Sequence, residues 1–292
     1  MQQRRKWLIF LALVVVCLIW GSTWLAIRIN LRDFPPLRGA GLRFLLAAAL
    51  IGASAGRRRL PPAQQPPTWY WLALSMVLVA VPYAAVYWGE QYVSSGLTAI
   101  LFATYPQFVA LLAHVGVRGE RLTVWLLLGL LCGLAGVTVL FWGELSGSAP
   151  GSISGGFLIL LSALSSATGT VMLKRRLAHL DPLLINLRPM LYGGLLLMAL
   201  SLATETGTPW IWSMRGVGSL LYLAVFGSLV AFSLYCWLMR TLPVSRLSFI
   251  VYVTPLIALI LGALVENEAL TWRLLLGTAL IIGGISLSRR TA

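Results

Sequence analysis

The sequence predicts an all-α integral membrane protein with ten transmembrane helices, arranged as two inverted five-helix repeats. Three observations carry that prediction. Of 292 residues, 59% are hydrophobic and only 10% charged, too little polar surface to cover a soluble globule of this size. The arginines and lysines cluster at alternate loops, as they do when a chain crosses a bilayer repeatedly. The chain also echoes itself: AILFATYPQFVALLAHVGVRGERLTVWLLLGLLCGLAG, from Ala99 to Gly136, returns as SFIVYVTPLIALILGALVENEALTWRLLLGTALIIGG, from Ser248 to Gly284. Pro106 answers Pro255 at a spacing of 149, whereas Thr123, Gly129 and Gly136 answer Thr271, Gly277 and Gly284 at 148. One deleted residue accounts for the change.

Apolar segments of roughly 17–25 residues can cross a hydrocarbon core. Ten can be marked, at 7–29, 37–56, 69–89, 93–115, 122–142, 154–173, 183–202, 216–238, 244–265 and 270–287. The net charge of +14 does not make this a nucleic-acid binder, because its basic residues neither share a soluble face nor interleave with stacking aromatics. Arg4, Arg5 and Lys6, then Arg57 to Arg59, Arg118 and Arg121, Lys174 to Arg176, Arg240 and Arg246, and Arg289 and Arg290 all fall on one side by this alternation. The positive-inside rule makes that side cytoplasmic, with both termini on it. The opposite loops carry Asp33, Glu90, Glu144, Glu205, Glu266 and Glu268, with Arg32 and Arg215 as exceptions. Five crossings per copy deliver the second copy upside down, so the repeats are inverted. The join falls in the polar stretch 143–152, which divides the chain into residues 1–146 and 151–292. An internally duplicated membrane protein is the usual plan of a secondary transporter, with its substrate site between the repeats.

Polar side chains inside a span mark the places where the chain faces protein or a water-filled cavity. The first span is not read as a cleaved leader: Val16 before Cys17 is not the small residue lipoprotein processing needs, and nine spans follow. Its Trp20, Gly21, Ser22, Thr23 and Trp24 form a polar and aromatic patch, with Trp20 and Trp24 on one face. This is either the wall of a central pocket or interfacial anchoring with small-residue packing. In the second span Arg43 lies about 9 Å from the start at 1.5 Å per residue, and Arg188 lies at a similar depth in the seventh. Arginines at such depths are expected to snorkel; the alternative is a fork that holds a substrate carboxylate.

Tyr83 and Tyr87 give the third span an aromatic face after Pro82, and Glu90 at its outer end is either a titrating carboxylate or an exposed loop acid. Tyr105, Pro106 and Gln107 interrupt the fourth span, and Tyr252 with Pro255 occupies the related place in the ninth, which suggests a shared hinge. In the fifth, Gly129 and Gly133 form a GxxxG pair that suits packing within one chain or a dimer. Glu120 and Glu268 precede the fifth and tenth spans, where a carboxylate favours a helix N-terminus. None of the eight acids sits at the centre of a span. Cys17, Cys132 and Cys236 are read as small packing residues. His114 and His179 are isolated, and no metal-ligand cluster, P-loop or nucleophile motif occurs. No catalytic site, cofactor or resident metal is therefore expected. A polytopic enzyme acting on lipid substrates would need a cluster that the sequence does not contain.

The segment IWGSTWLAIR from Ile19 to Arg28, then Pro36 with Leu42, Arg43 and Phe44, and the repeated block with Pro106, Gly119, Glu120 and Gly129 together resemble the EamA family of the drug/metabolite transporter superfamily, particularly its YedA-like members. The resemblance covers essentially the whole chain. It implies two inverted five-helix repeats around a central cavity, alternating access, and export of amino acids or other small amphipathic metabolites across a bacterial cytoplasmic membrane. It further implies that the first, third and fourth helices and their repeat mates line the cavity. Those helices bear Trp20, Trp24, Tyr83, Tyr87, Tyr105 and Gln107, with Ser165, Thr168, Tyr235 and Tyr252 from the second half. Small four-helix relatives carry a glutamate in the middle of their first helix; this chain has Trp20 to Trp24 there, so proton antiport by that device is not expected. Efflux of cationic toxicants and passive facilitation are the alternatives. The expected partners are a small-molecule substrate and the lipid bilayer; a monomer holds both halves of a cavity, and a homodimer is the alternative.

Overall fold

The computed structural model describes residues 2–93, 95–140, 142, 152–257, 272–288 and 290. Residues 143–151 of the proposed join, the acids Glu144, Glu266 and Glu268, and the expected end of the ninth span lie outside them. Among the described residues there are helices and no strands. We number them by span: α1 Gln2–Asn30, α2 Pro36–Ala55, α3 Thr68–Gly89, α4 Thr98–Gly116, α5 Val124–Leu140, α6 Ser152–Leu177, α7 Leu184–Thr204, α8 Met214–Met239, α9 Val244–Ile257 and α10 Trp272–Ser288. Among the described residues, seven helices are long and apolar enough to cross a membrane, and the shorter apolar helices fall on the remaining marked segments. Exposed leucines, phenylalanines and tryptophans cover the outside of the bundle, as suits a multi-pass protein whose solvent is lipid.

Two of the helices widen midway. In α3, residues Met76–Ala80 are π-helical, and in α8 so are Leu223–Val230. Pro82 explains the first, since its ring strikes the carbonyl four residues back and its nitrogen donates no hydrogen bond. Hydroxyls of α6 serve the loosened turn: Ser165 Oγ donates to the Val77 carbonyl at 2.9 Å and Ser162 Oγ to the Pro82 carbonyl at 3.0 Å. The expected hinge at Pro106 and Pro255 is found differently in the two copies. In α4 the helix breaks at Ala103 and Thr104, directly before Pro106, whereas in α9 the break falls at Ser248 and Phe249 and Pro255 sits within helix.

Helix ends at the bundle's rims are capped from neighbouring helices. Glu205, just beyond α7, accepts from Leu37 N–H at 2.8 Å and Arg38 N–H at 3.1 Å, capping α2. Glu120, expected to serve the fifth span, instead accepts from the Val244 and Ser245 N–H groups and the Ser245 hydroxyl, capping α9. A carboxylate goes to whichever helix N-terminus lies within reach, and the fold brings α9 closer than sequence order suggests. Lys174 caps the other way, donating to the carbonyls of Met239 and Leu242 at the end of α8.

The tightest helix crossing joins α5 to α10. A Cβ placed on Gly129 would lie 2.6 Å from the Gly284 carbonyl oxygen, and one on Gly284 would lie 2.5 Å from the Gly129 oxygen. Gly136 and Gly277 face each other likewise, at 2.8 and 2.9 Å. Only glycine lets two backbones approach so closely. Gly133, the other half of the GxxxG pair, is covered by the Tyr252 ring. The pair therefore packs inside the chain.

Candidate functional site

A cavity of about 140 Å³ lies in the middle of the bundle, lined from α1, α2, α3 and α4 on one side and α6, α8 and α9 on the other. Its wall is aromatic. The Trp20 ring lies 5.1 Å from Tyr235 and 5.6 Å from Phe232, and Phe102 stacks on Tyr105 at 5.8 Å with the planes 4° apart. Trp24 meets the edge of Phe102 at 6.0 Å. Such pairs hold rings in fixed orientations beyond what burial alone achieves. A row of hydroxyls crosses between the halves: Tyr105 bonds Thr170 at 2.9 Å and Tyr235 at 3.2 Å.

Arg43 is the charged member of the lining, and none of the lining residues is an acid. It is only 2% exposed, so it does not snorkel to the headgroups. Its Nε donates to Ser228 Oγ at 2.8 Å and its Nη2 to the Gly227 carbonyl at 3.4 Å, both within the widened turn of α8. Trp20 Nε1 donates to the same Gly227 carbonyl at 3.4 Å. The guanidinium lies over the Tyr83 ring at 5.0 Å and the Phe44 ring at 5.1 Å. The π-helical turn of α8 thus positions both Arg43 and Trp20, consistent with the tendency of such bulges to occur at functional sites.

Of the residues singled out in the sequence, Trp20, Thr23, Trp24, Arg43, Pro82, Tyr83, Tyr105, Tyr235 and Cys236 meet at this cavity. The others lie elsewhere. Ser22 bonds Tyr222 at 2.6 Å. Tyr87 is fully buried behind the lining, its hydroxyl beside the Arg43 guanidinium. Tyr252 donates to the Leu130 carbonyl at 3.0 Å and braces α5, and Gln107, in the amide orientation its neighbours satisfy, donates to the Ala103 and Thr104 carbonyls at 3.0 Å beside the Tyr252 hydroxyl. Ser165 serves the α3 bulge, and Thr168 bonds back to Leu164 on its own helix. Arg188 stacks over Trp71 at 5.2 Å. Glu90 caps the end of α3, half-buried; burial pushes its carboxyl up to about 7, against the opposing pull of Arg28.

Sequence reasoning missed Ser162, Ser166 and Thr170 on α6, Phe232 on α8 and Thr254 on α9, all of which line the cavity. The α6 set carried a usable signal. Positions 162, 166 and 170 are four apart and share one helical face, whereas Ser165 and Thr168 lie off that face.

Comparison with known proteins agrees with this architecture. The EamA-like transporter family matches the chain twice, over residues 6–142 and 153–290. The uncharacterized transporter YoaV of Bacillus subtilis is 28% identical over 284 residues, spanning 97% of each chain. The uncharacterized inner membrane transporter YedA of Escherichia coli is 34% identical over 268 residues, 90% of this chain and 84% of that one. One crystal structure superposes with a TM-score of 0.81 over 97% of this chain and 98% of its own, at 20% identity, and so shares the fold.

Proposed function

Because the chain belongs to the EamA-like transporter family, we propose that it is a secondary carrier exporting small amphipathic metabolites, amino acids or related compounds, across the bacterial cytoplasmic membrane by alternating access. The central aromatic cavity carries this reading, since residues before and after the join contribute to one chamber. Its volume of about 140 Å³ is below the roughly 300–1,000 Å³ of pockets for drug-sized ligands. That size favours a small metabolite over a bulky drug. Arg43, a cation in a lining without acids, weighs against cationic toxicants.

The carrier is read as two inverted five-helix halves, residues 1–146 and 151–292, with both termini cytoplasmic. The crossing of α5 and α10 supports this. Shifting either partner of the Gly129–Gly284 contact by 148 residues gives the Gly136–Gly277 contact, as an approximate twofold axis requires. The widened turns of α3 and α8 sit at related places, Met76–Ala80 and Leu223–Val230. The two separate family matches divide the chain in the same way.

Purified protein in liposomes, challenged with labelled metabolites with and without a proton gradient, tests the reading. A carrier gives saturable flux and counterflow, and a passive facilitator gives linear flux without competition. Replacing Trp20, Tyr83 or Tyr105 with alanine is expected to lower flux at least about tenfold, the scale of a lost aromatic contact plus its hydrogen bond. Unchanged flux in all three variants would refute the pocket assignment.

A further inference from the structure

Arg43 is buried inside the helix bundle with a charge that its surroundings do not neutralise. Its protein partners are the Ser228 hydroxyl, the Gly227 carbonyl, the faces of Tyr83 and Phe44 and the Tyr83 and Tyr87 hydroxyls beside it, all uncharged. Among the described residues no carboxylate pairs with it, and its Nη1 is buried without any hydrogen-bond partner. An arginine cannot relieve this by losing its proton. An uncompensated buried cation is among the costliest groups a membrane protein can keep, so such residues mark sites where a counter-charge arrives from outside the chain.

We propose that Arg43 is the anion receptor of the cavity, and that the carried compound is a small monocarboxylate with an apolar or aromatic body. This deepens the carrier reading above and rests on it. The carboxylate pairs with the guanidinium, whose planar fork matches it and whose Nη1 has no protein hydrogen bond, while the body lies against Trp20 and Tyr83. The headgroup carries a single negative charge, because one arginine with no second cation in the lining does not compensate a dianion. An ammonium on the same ligand finds hydroxyls and ring faces but no carboxylate.

The test uses three probes sharing one body: 3-phenylpropionate, its amide, and phenethylamine. Flux into liposomes holding the full chain, and ligand-dependent melting in detergent, are read for wild type, Arg43→Gln and Arg43→Lys. Wild type is expected to prefer the carboxylate over the amide by at least roughly tenfold, as sites built around a polar partner do. Arg43→Gln abolishes that preference, read as the ratio of carboxylate to amide handling within the same variant; Arg43→Lys keeps the charge without the fork and is intermediate. If Arg43→Gln fails to fold, the Arg43→Lys comparison and wild-type selectivity decide. Equal handling of carboxylate and amide by wild type overturns the inference, as does protection by chloride alone. Failure of a wider panel of small carboxylates to bind or move also overturns it. Saturable flux of amide or amine without carboxylate preference would sink this inference and leave the carrier standing. Linear flux that still selects carboxylate through Arg43 would sink the carrier and leave the anion site.

Discussion

At the scale of single residues, the polar groups of this bundle divide into those held by the chain and those left open. Tyr105 is held, with its hydroxyl between Thr170 and Tyr235. Arg43 is half-held, fixed through Nε and Nη2 and buried without a hydrogen bond at Nη1. Glu90 is a third kind, a rim carboxyl that burial lifts from 4.5 to about 7. The sign of its linkage follows from the raised value. Folding favours the protonated acid, so its stabilising contribution is complete below 4.5 and is lost as pH climbs through 7. The melting temperature of wild type in detergent is therefore expected to fall between pH 5 and pH 8. Glu90→Gln removes that slope and melts above wild type at pH 8. A slope unchanged by the substitution would assign it to other groups. The residue-level contrast also shows what sequence conveys. Trp20 and Tyr83 could be picked out because aromatics beside polar residues stand apart within an apolar span. The burial of Arg43 could not, because its partners Gly227 and Ser228 lie on α8, far along the chain.

At the scale of elements, helix ends and crossings determine the packing. Spans were legible because a helix needs roughly 20 apolar residues to cross lipid, and that length survives any uncertainty at its edges. What lies within a span was less so. Pro82 signalled a disturbance in α3, but α8 has no proline in its widened turn at Leu223–Val230, so nothing local announced it. The duplicated prolines misled in part, since the break in α9 precedes Pro255 by two turns of helix. The glycines of the echo carried more information than their spacing suggested, because they are where α5 and α10 touch. Neighbouring glycines of α10 make a controlled comparison. A methyl on Gly284 meets the Gly129 carbonyl oxygen at 2.5 Å, a backbone atom that cannot rotate away, whereas Gly283 has nothing within 4 Å. Gly284→Ala is expected to destabilise the protein by about 1–3 kcal/mol, the usual cost of overpacking. Gly283→Ala should be neutral or stabilising by up to about 1 kcal/mol, because alanine is the better helix former. Thermal melts of the two variants decide, and equal effects would mean that the crossing does not limit stability.

At the scale of the whole molecule, contacts between distant loops fix which helix ends share a rim. Arg58, beyond the end of α2, lies 3.7 Å from Asp181, beyond the end of α6. The Tyr70 hydroxyl at the start of α3 donates to the Met172 carbonyl near the end of α6 at 2.7 Å. The ends of α2 and α6 therefore lie together. A five-residue connection, 31–35, joins the end of α1 to the start of α2, so those two helices run in opposite directions. It follows that α1 and α6 also run in opposite directions, as the proposed inverted repeats require. Exposed pairs such as Arg58 and Asp181 contribute little stability, so both rims can be probed by substitution without unfolding the bundle. On a background with Cys17, Cys132 and Cys236 replaced by alanine, single cysteines at Arg58, Arg175, Arg32 and Thr208 are treated with a membrane-impermeant maleimide. Positions 58 and 175 are expected to react only in inverted vesicles, and 32 and 208 only in intact cells. Labelling that separates 58 from 175 would contradict the shared rim and, with it, the single chamber between two opposed halves.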